Sequence, residues 1–295
     1  MLTAEIKERL RTSPELAVEE AIKSFVATSP LNLMPSTREW AIFGEPLVRF
    51  VSGGDPLYRR YKEIISEQHL TPQEAVAQSG ADVPDRLSVI SYILPIMEPT
   101  RLANRKEKLV PSRRWSHQRY YGEQFNDALR REVVDVLTEA GYLAISPVLQ
   151  PYFRTHTNEK VGMYSVWSER HTAFAAGHGS FGLSDGFITP RGIAHRCGSI
   201  ITDLPLTASG RDSDDHHANC VFYADGTCKA CAARCPGGAI TSEGHDKGVC
   251  MDYLRKIGYI PIKEYNDETS VYGCGLCQTK VPCEYRVPLK IERLR

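Results

Sequence analysis

The sequence predicts a mixed fold, α+β or α/β, over residues 1–209, followed by a short cysteine-rich domain over residues 210–295. Three observations carry this expectation. Apolar segments of strand length alternate with amphipathic helical segments, the sign of a sheet covered by helices. Residues 207–219 then turn polar, reading Thr-Ala-Ser-Gly-Arg-Asp-Ser-Asp-Asp-His-His-Ala-Asn. Beyond them Gly and Pro punctuate the chain, and eight of its nine cysteines fall between Cys220 and Cys283.

The elements follow in order. Residues 2–28 read as helix, with Ile6, Leu10, Ala17, Ala21, Ile22 and Phe25 near one face. Thr71-Pro-Gln-Glu74 announces another: Thr71 as N-cap, Pro72 as first helical residue, Glu74 as reciprocal partner. The run Leu87-Ser-Val-Ile-Ser-Tyr-Ile-Leu94 reads as a buried strand. Residues 119–140 form the strongest predicted helix, carrying Phe125, Leu129, Val133, Val134 and Leu137 and stopped by Gly141. Tyr142–Ser146 is a strand closed by Pro147; residues 161–166 and 186–193 are strand candidates around a helix near 167–176. Gly198–Leu206 is a strand and its exit turn. The expected division is a helical region over 1–84, an α/β domain over 85–209 and the cysteine domain over 210–295.

Composition excludes some functions. Apolar residues make up 42% and charged residues 24%, the mix of a water-soluble domain. Lys plus Arg (36) equals Asp plus Glu (36), so no global field recruits nucleic acid or anionic membrane. The basic stretch Arg101, Arg105, Lys106, Lys108, Arg113, Arg114 reads as a solvated loop and, at most, a docking candidate. The N-terminus has no apolar core of a secretory signal, and no run of eighteen apolar residues predicts a membrane span. Nine cysteines in that setting read as reduced cytoplasmic thiols that serve metal, not as a disulfide framework.

Their spacing names the metal. Cys228-x2-Cys231-x3-Cys235-Pro236 contains the core of the bacterial ferredoxin run, in which the cysteine before proline ligates the other cluster of a pair. Cys274-x2-Cys277, followed by Cys283, repeats the theme. Crossing the fourth ligands gives two 4Fe–4S sites. Set A is Cys220, Cys228, Cys231 and Cys283; set B is Cys235, Cys250, Cys274 and Cys277. Structural zinc also suits paired CxxC motifs, but it explains neither the Cys-Pro step nor eight cysteines sorting into two fours. The longer gaps before Cys228 and Cys283 predict that set A is the more exposed. Cys197 reads as a small buried apolar residue, and His216 and His217 as surface residues.

Gly177-His-Gly179-Ser-Phe-Gly182 matches the dinucleotide pattern GxGxxG, but a predicted helix precedes it and a strand follows, the reverse of what that fingerprint needs. Together with Trp167-Ser-Glu-Arg170, Ile201-Thr-Asp-Leu-Pro-Leu206, Cys235-Pro-Gly-Gly-Ala-Ile240 and Cys250-Met-Asp-Tyr-Leu254, this loop resembles the epoxyqueuosine reductase family, relatives of reductive dehalogenases. The resemblance runs from about residue 85 to 285. It implies a nitroreductase-like (cobalamin-processing-like) α/β domain holding cobalamin, followed by a ferredoxin-like double 4Fe–4S domain that feeds it electrons. The corrinoid is then expected over Gly177, His178, Gly179, Ser180, Phe181 and Gly182, with Thr202 and Leu204 near the same cavity. An external ferredoxin- or flavodoxin-type donor and a small-molecule or corrinoid substrate are implied as partners.

The chain differs from that family where it matters for chemistry. Met163 stands where the family's proton-donating aspartate precedes Glu169-Arg170, so Tyr164 or His178 is the expected donor. Phe125-Asn126 replaces a Tyr-His pair, and no helical repeats follow Arg295, so a tRNA substrate is not expected. The expected function is an iron–sulfur oxidoreductase passing electrons to a corrinoid or substrate; the alternative is an electron-transfer protein, or a reductive activator of a corrinoid enzyme.

Overall fold

The computed structural model describes residues 3–35, 39–258 and 273–288. The chain opens with α1 (Ala4–Thr12) and α2 (Pro14–Thr28). The single helix expected over residues 2–28 is therefore two. Pro14 has no N–H to continue the ladder, so Ser13 leaves helical geometry (φ −150°, ψ 61°) and Pro14 starts afresh. Next come β1 (Leu47–Ser52), α3 (Pro56–Ile64) and α4 (Pro72–Gln78), the last with the expected capping box of Thr71 and Glu74. β2 (Ser88–Pro95) leads to α5 (Glu98–Lys106) and the long α6 (Arg113–Glu139). Ser112 caps α6, its hydroxyl accepting from Trp115 N at 3.2 Å. Short elements follow: β3 (Ala144–Ile145), β4 (Thr155–Asn158), β5 (Gly162–Ser165), α7 (Glu169–Ala175), β6 (Ser180–Phe181) and β7 (Phe187–Ile188). β8 (His195–Thr202) completes the main sheet. The cysteine segment adds α8 (Val221–Asp225), α9 (Ala230–Ala233), β9 (Ile240–Thr241), β10 (Gly244–His245) and α10 (Lys247–Gly258).

Among the described residues the main sheet has the order β1-β2-β8-β3, and every pairing in it is antiparallel. The fold is α+β; the α/β half of the expectation falls, because helices lie on the two faces of the sheet without linking parallel strands. Along β2 the side chains alternate between two cores. Ile90, Tyr92 and Leu94 pack with Val18 and Ile22 of α2 and Phe125 and Leu129 of α6. Val89, on the opposite face, packs with Tyr58 and Tyr61 of α3, Val76 of α4 and Trp167. A strand covered on both faces carries apolar residues on both, which is why six of the eight residues of Leu87–Leu94 are apolar, with only Ser88 and Ser91 polar. Phe125 is fully buried, its ring 5.6 Å from Phe25 and 5.7 Å from Phe43. Burying a ring of this kind contributes about 1.5–3 kcal/mol.

Residues 1–84 are not helical throughout: β1 is an edge strand of the sheet, and α1 and α2 share the core with β2 and β8. Residues 183–193 pack against the cysteine segment, with Leu183, Ile188 and Ile193 beside Cys220, Ile240 and Val281. Ile193 N donates to Cys283 O at 2.8 Å, stitching the two parts together. The basic stretch is corrected most clearly. Residues 98–106 form α5, whose Arg101 and Arg105 hold the fully buried Glu284 at 3.0 and 2.7 Å. Two guanidiniums supply the counter-charge that a buried carboxylate requires.

Candidate functional site

The glycine loop lies between α7 and β6, so the helix-first context expected from sequence holds. Its glycines serve backbone packing. Gly177 has φ +82°, and a Cβ there would stand 2.1 Å from Gly210 O; at Gly179 it would stand 2.0 Å from Ile188 O. The surface expected to meet a macrocycle is thus filled by the protein's own chain. His178 is buried, and its Nε2 donates to Ser91 O at 3.0 Å. Burial pushes its pKa down to about 3, so the ring stays neutral. Ser180 accepts from Asn219 N at 2.8 Å, and Thr202 accepts from Leu204 N at 3.1 Å.

The open space lies elsewhere. A cleft of about 980 Å³ runs between α3, the β4–β5 hairpin, α7 and the β9–β10 turn. Tyr164 and Phe181 line it; His178, Gly177, Gly179, Ser180, Thr202 and Leu204 do not, and Gly182 faces a different cavity. Of the two alternative proton donors, Tyr164 opens on this cleft and His178 does not. Tyr164 sits in a hydrogen-bond chain: its hydroxyl receives from Ser66 Oγ at 3.0 Å and donates to Gln68 Oε1 at 2.9 Å. One wall is aromatic, His171 standing 4.9 Å from both Tyr61 and Phe181 between ring centroids. Burial pushes the His171 pKa down to about 3, which keeps that wall neutral.

The facing wall is polar, and sequence reasoning missed it. Burial works against charge on His245, but Asp185, with its Oδ2 3.2 Å from Nδ1, and a hydrogen bond with Cys250 outweigh it and raise the pKa to about 9. Lys247 Nζ donates to Val161 O at 2.8 Å and Met163 O at 3.2 Å, and burial lowers its pKa. The available signal was proximity in sequence, since His245 and Lys247 precede Cys250 by five and three positions. The pair Glu169-Arg170 divides its labour. Arg170 faces the cleft, whereas Glu169 turns inward to the buried Arg130 at 3.2 Å, which also holds Glu123 and Asp127 at 3.0 and 2.7 Å.

Four of the eight cysteines between Cys220 and Cys283 share a cavity. Cys220, Cys228, Cys231 and Cys283 line one small cavity walled by Leu183, Ile188, Ile193 and Val281. Burial, and then Cys231, Cys220 and Cys228 beside it, push the Cys283 thiol up to about 12. Burial, and then Cys235 and Cys250, push Cys274 up to about 11. Cys277 is raised by burial and then by Cys274, Cys250, Cys231 and Cys235. Cys220, expected at an exposed position, is buried. All nine cysteines are free of disulfides. Cys197 stands apart on β8, part-buried among Ile93 and Phe174, its thiol pushed up to about 12 by burial. Among the described residues, no three His, Cys, Asp or Glu side chains converge on a point where a single metal ion would sit.

No family model matches the sequence, and no curated protein matches it. Solved structures do. Its structural neighbours are epoxyqueuosine reductases and a reductive dehalogenase. The epoxyqueuosine reductase of Bacillus subtilis shares 19% identity over 81% of this chain and 61% of its own, with a TM-score of 0.41. An epoxyqueuosine reductase solved with a tRNA stem loop shares 17% over 91% of this chain and 66% of its own, at 0.45. The catabolic reductive dehalogenase NpRdhA shares 13% over 95% of this chain and 38% of its own, at 0.48. The chain thus spans about three fifths of the Bacillus subtilis protein and two fifths of the dehalogenase. Among the described residues no helix is long and apolar enough to cross a membrane.

Proposed function

We propose that this chain is an iron–sulfur oxidoreductase with two 4Fe–4S sites, reducing an acceptor that binds in the cleft between Tyr164, Phe181 and His245. The observation that supports this reading is that Cys220, Cys228, Cys231 and Cys283 line one small cavity, in a chain that also holds a cleft of about 980 Å³. Thiols packed together out of water resist ionisation, as the raised values at Cys274 and Cys283 express, and a bound metal charge reverses that resistance. The donor sets fit the group: Cys220, Cys228, Cys231 and Cys283 would hold one cluster, and Cys235, Cys250, Cys274 and Cys277 the other. When bound, such clusters supply single electrons at potentials tuned by burial and by hydrogen bonds to sulfur.

The remaining work belongs to the chain. Tyr61, His171 and Phe181 offer an aromatic wall to an apolar part of the acceptor, and Arg170 and Lys247 offer positive charge to an anionic one. Tyr164 Oη is the proton source inside the cleft; Ser66 donates a hydrogen bond to that oxygen and so steadies it as the proton leaves. Anaerobic reconstitution is expected to yield about eight iron and eight sulfide per chain. Cys197→Ser is expected to leave both unchanged. Tightly bound zinc without sulfide would overturn the reading.

A corrinoid as the acceptor is the finer form of the same reading, and it rests on the sequence resemblance. The glycine loop does not fit the group, since Gly177 and Gly179 already meet backbone. Its seat would be the Phe181 side of the loop. Hydroxocobalamin is expected to change its absorption at tens of micromolar protein, and Phe181→Ala to weaken that change. An unchanged spectrum removes the corrinoid and leaves an electron-transfer protein or reductive activator as the function.

A further inference from the structure

The segment that reads as a solvated basic loop is held against the cysteine loops. Val110 packs with Cys274. Asn104 Nδ2 donates to Thr279 Oγ1 at 3.2 Å and to Cys274 O at 3.4 Å. Arg234, next to Cys235, donates to Glu107 O at 2.7 Å and Asn104 O at 3.2 Å. On the far side, Arg101 and Arg105 hold Glu284, the residue after Cys283. One short stretch of surface therefore covers the ligand loops of both sets.

That surface is positive and partly apolar. Residues 98–109 with Tyr285 and Arg286 carry five basic residues against two acidic, in a chain whose formal net charge is zero. Lys106, Lys108 and Arg286 are exposed. Arg101, Arg105 and Arg286 surround the ring of Tyr285 at 5.3, 5.9 and 5.4 Å. Tyr285 is 45% exposed, Leu102 41% and Leu109 68%. Large apolar groups set among cations have the make-up of an interface, in which an apolar centre is ringed by steering charge.

We propose that the surface formed by α5, the segment to Leu109 and the Tyr285–Arg286 turn is the docking site of an acidic one-electron carrier protein. The inference rests on the iron–sulfur reading above. Its argument is charge complementarity joined to position: a negative carrier is drawn to the positive region of a neutral chain, and there it meets the loops bearing Cys274 and Cys283. Each encounter transfers one electron; the carrier is oxidised by one, a cluster is reduced by one, and no bond forms or breaks. An RNA would also be attracted by these cations, but it would gain nothing from their place over the ligand loops.

The test uses the reconstituted holoprotein and a reduced flavodoxin, an acidic carrier, with cluster bleaching followed by stopped flow. The rate is expected to fall as ionic strength rises, because exposed charges are screened within about 10 Å at 0.1 M salt. The triple variant Lys106→Glu, Lys108→Glu, Arg286→Glu is expected to be at least tenfold slower at low salt and to lose that dependence. Its reduction by dithionite should stay unchanged, and its iron content should equal the parent's. Equal rates for parent and variant overturn the proposal. A short RNA hairpin that binds the parent and not the variant, while flavodoxin reduces both equally, assigns the surface to nucleic acid instead. A parent chain that assembles no cluster overturns the oxidoreductase reading and this proposal with it, whereas equal rates in cluster-loaded parent and variant overturn this proposal alone.

Discussion

Cys231→Ser is expected to lower the iron content of the reconstituted protein from about eight to about four per chain, leaving one cubane's electron paramagnetic resonance signal intact. Cys274→Ser should remove the other four. Within one set a second substitution adds nothing, so Cys228→Ser with Cys231→Ser keeps about four, whereas Cys231→Ser with Cys274→Ser keeps none. The basis is the crossed-ligand spacing in the sequence, together with the one cavity that Cys220, Cys228, Cys231 and Cys283 share. Single variants at Cys235 and Cys283 are the most informative, because each crosses in sequence to the group it does not adjoin. Loss of the same signal in Cys235→Ser and Cys231→Ser would show uncrossed ligation and overturn the assignment.

The second large effect is acid lability. Burial pushes the pKa values of His69 and His195 down to about 4, and of His171 and His178 to about 3. In the unfolded chain each returns to its ordinary value of about 6.5. Below that pH the unfolded state binds protons that the folded state refuses. Their contribution to stability is fully present above pH 6.5 and is lost as the pH falls toward 4. Each histidine costs about 1.4 kcal/mol per pH unit in that window, and the four lie in one cooperative fold. The buried Glu169 works the other way: burial raises its pKa, so it holds its proton more readily than in the unfolded chain, with Arg130 opposing. Four histidines against one carboxyl give a net loss. Thermal unfolding of parent and His178→Gln, compared at the same pH from 8 to 5, isolates one of the four. The variant should show the shallower decline, and parallel curves would show that His178 is protonated in the fold.

The capping box at Thr71–Glu74, the long helix carrying Phe125, Leu129 and Val133, and the doubly covered strand Leu87–Leu94 were all legible in the sequence. Each is signalled by neighbours within a few positions, or by a run whose only comfortable place is a covered sheet. Cysteine spacing is legible for a similar reason, since a two-residue gap limits how far apart two thiolates can stand. The context of Gly177–Gly182 also excluded a dinucleotide from order alone. Other features had no local signal. β1 is a half-buried edge strand, and its six residues fix no partner until β2 lies beside them. Strand direction depends on where the chain returns after residues 98–139, so antiparallel pairing was decided by tertiary structure. The basic stretch looked solvated because its anion, Glu284, lies 183 positions from Arg101 and 179 from Arg105.

For the candidate site, the sequence by itself determined the donor chemistry: which thiols exist, and at what spacings they can reach a cluster. Only the tertiary structure decided what faces what. It buried His178 against Ser91, turned Tyr164 into the cleft, and brought Asp185 and His245, sixty positions apart, to opposite ends of one hydrogen bond. Side-chain identity is a local property of the chain, whereas access to a shared volume is set by long-range packing.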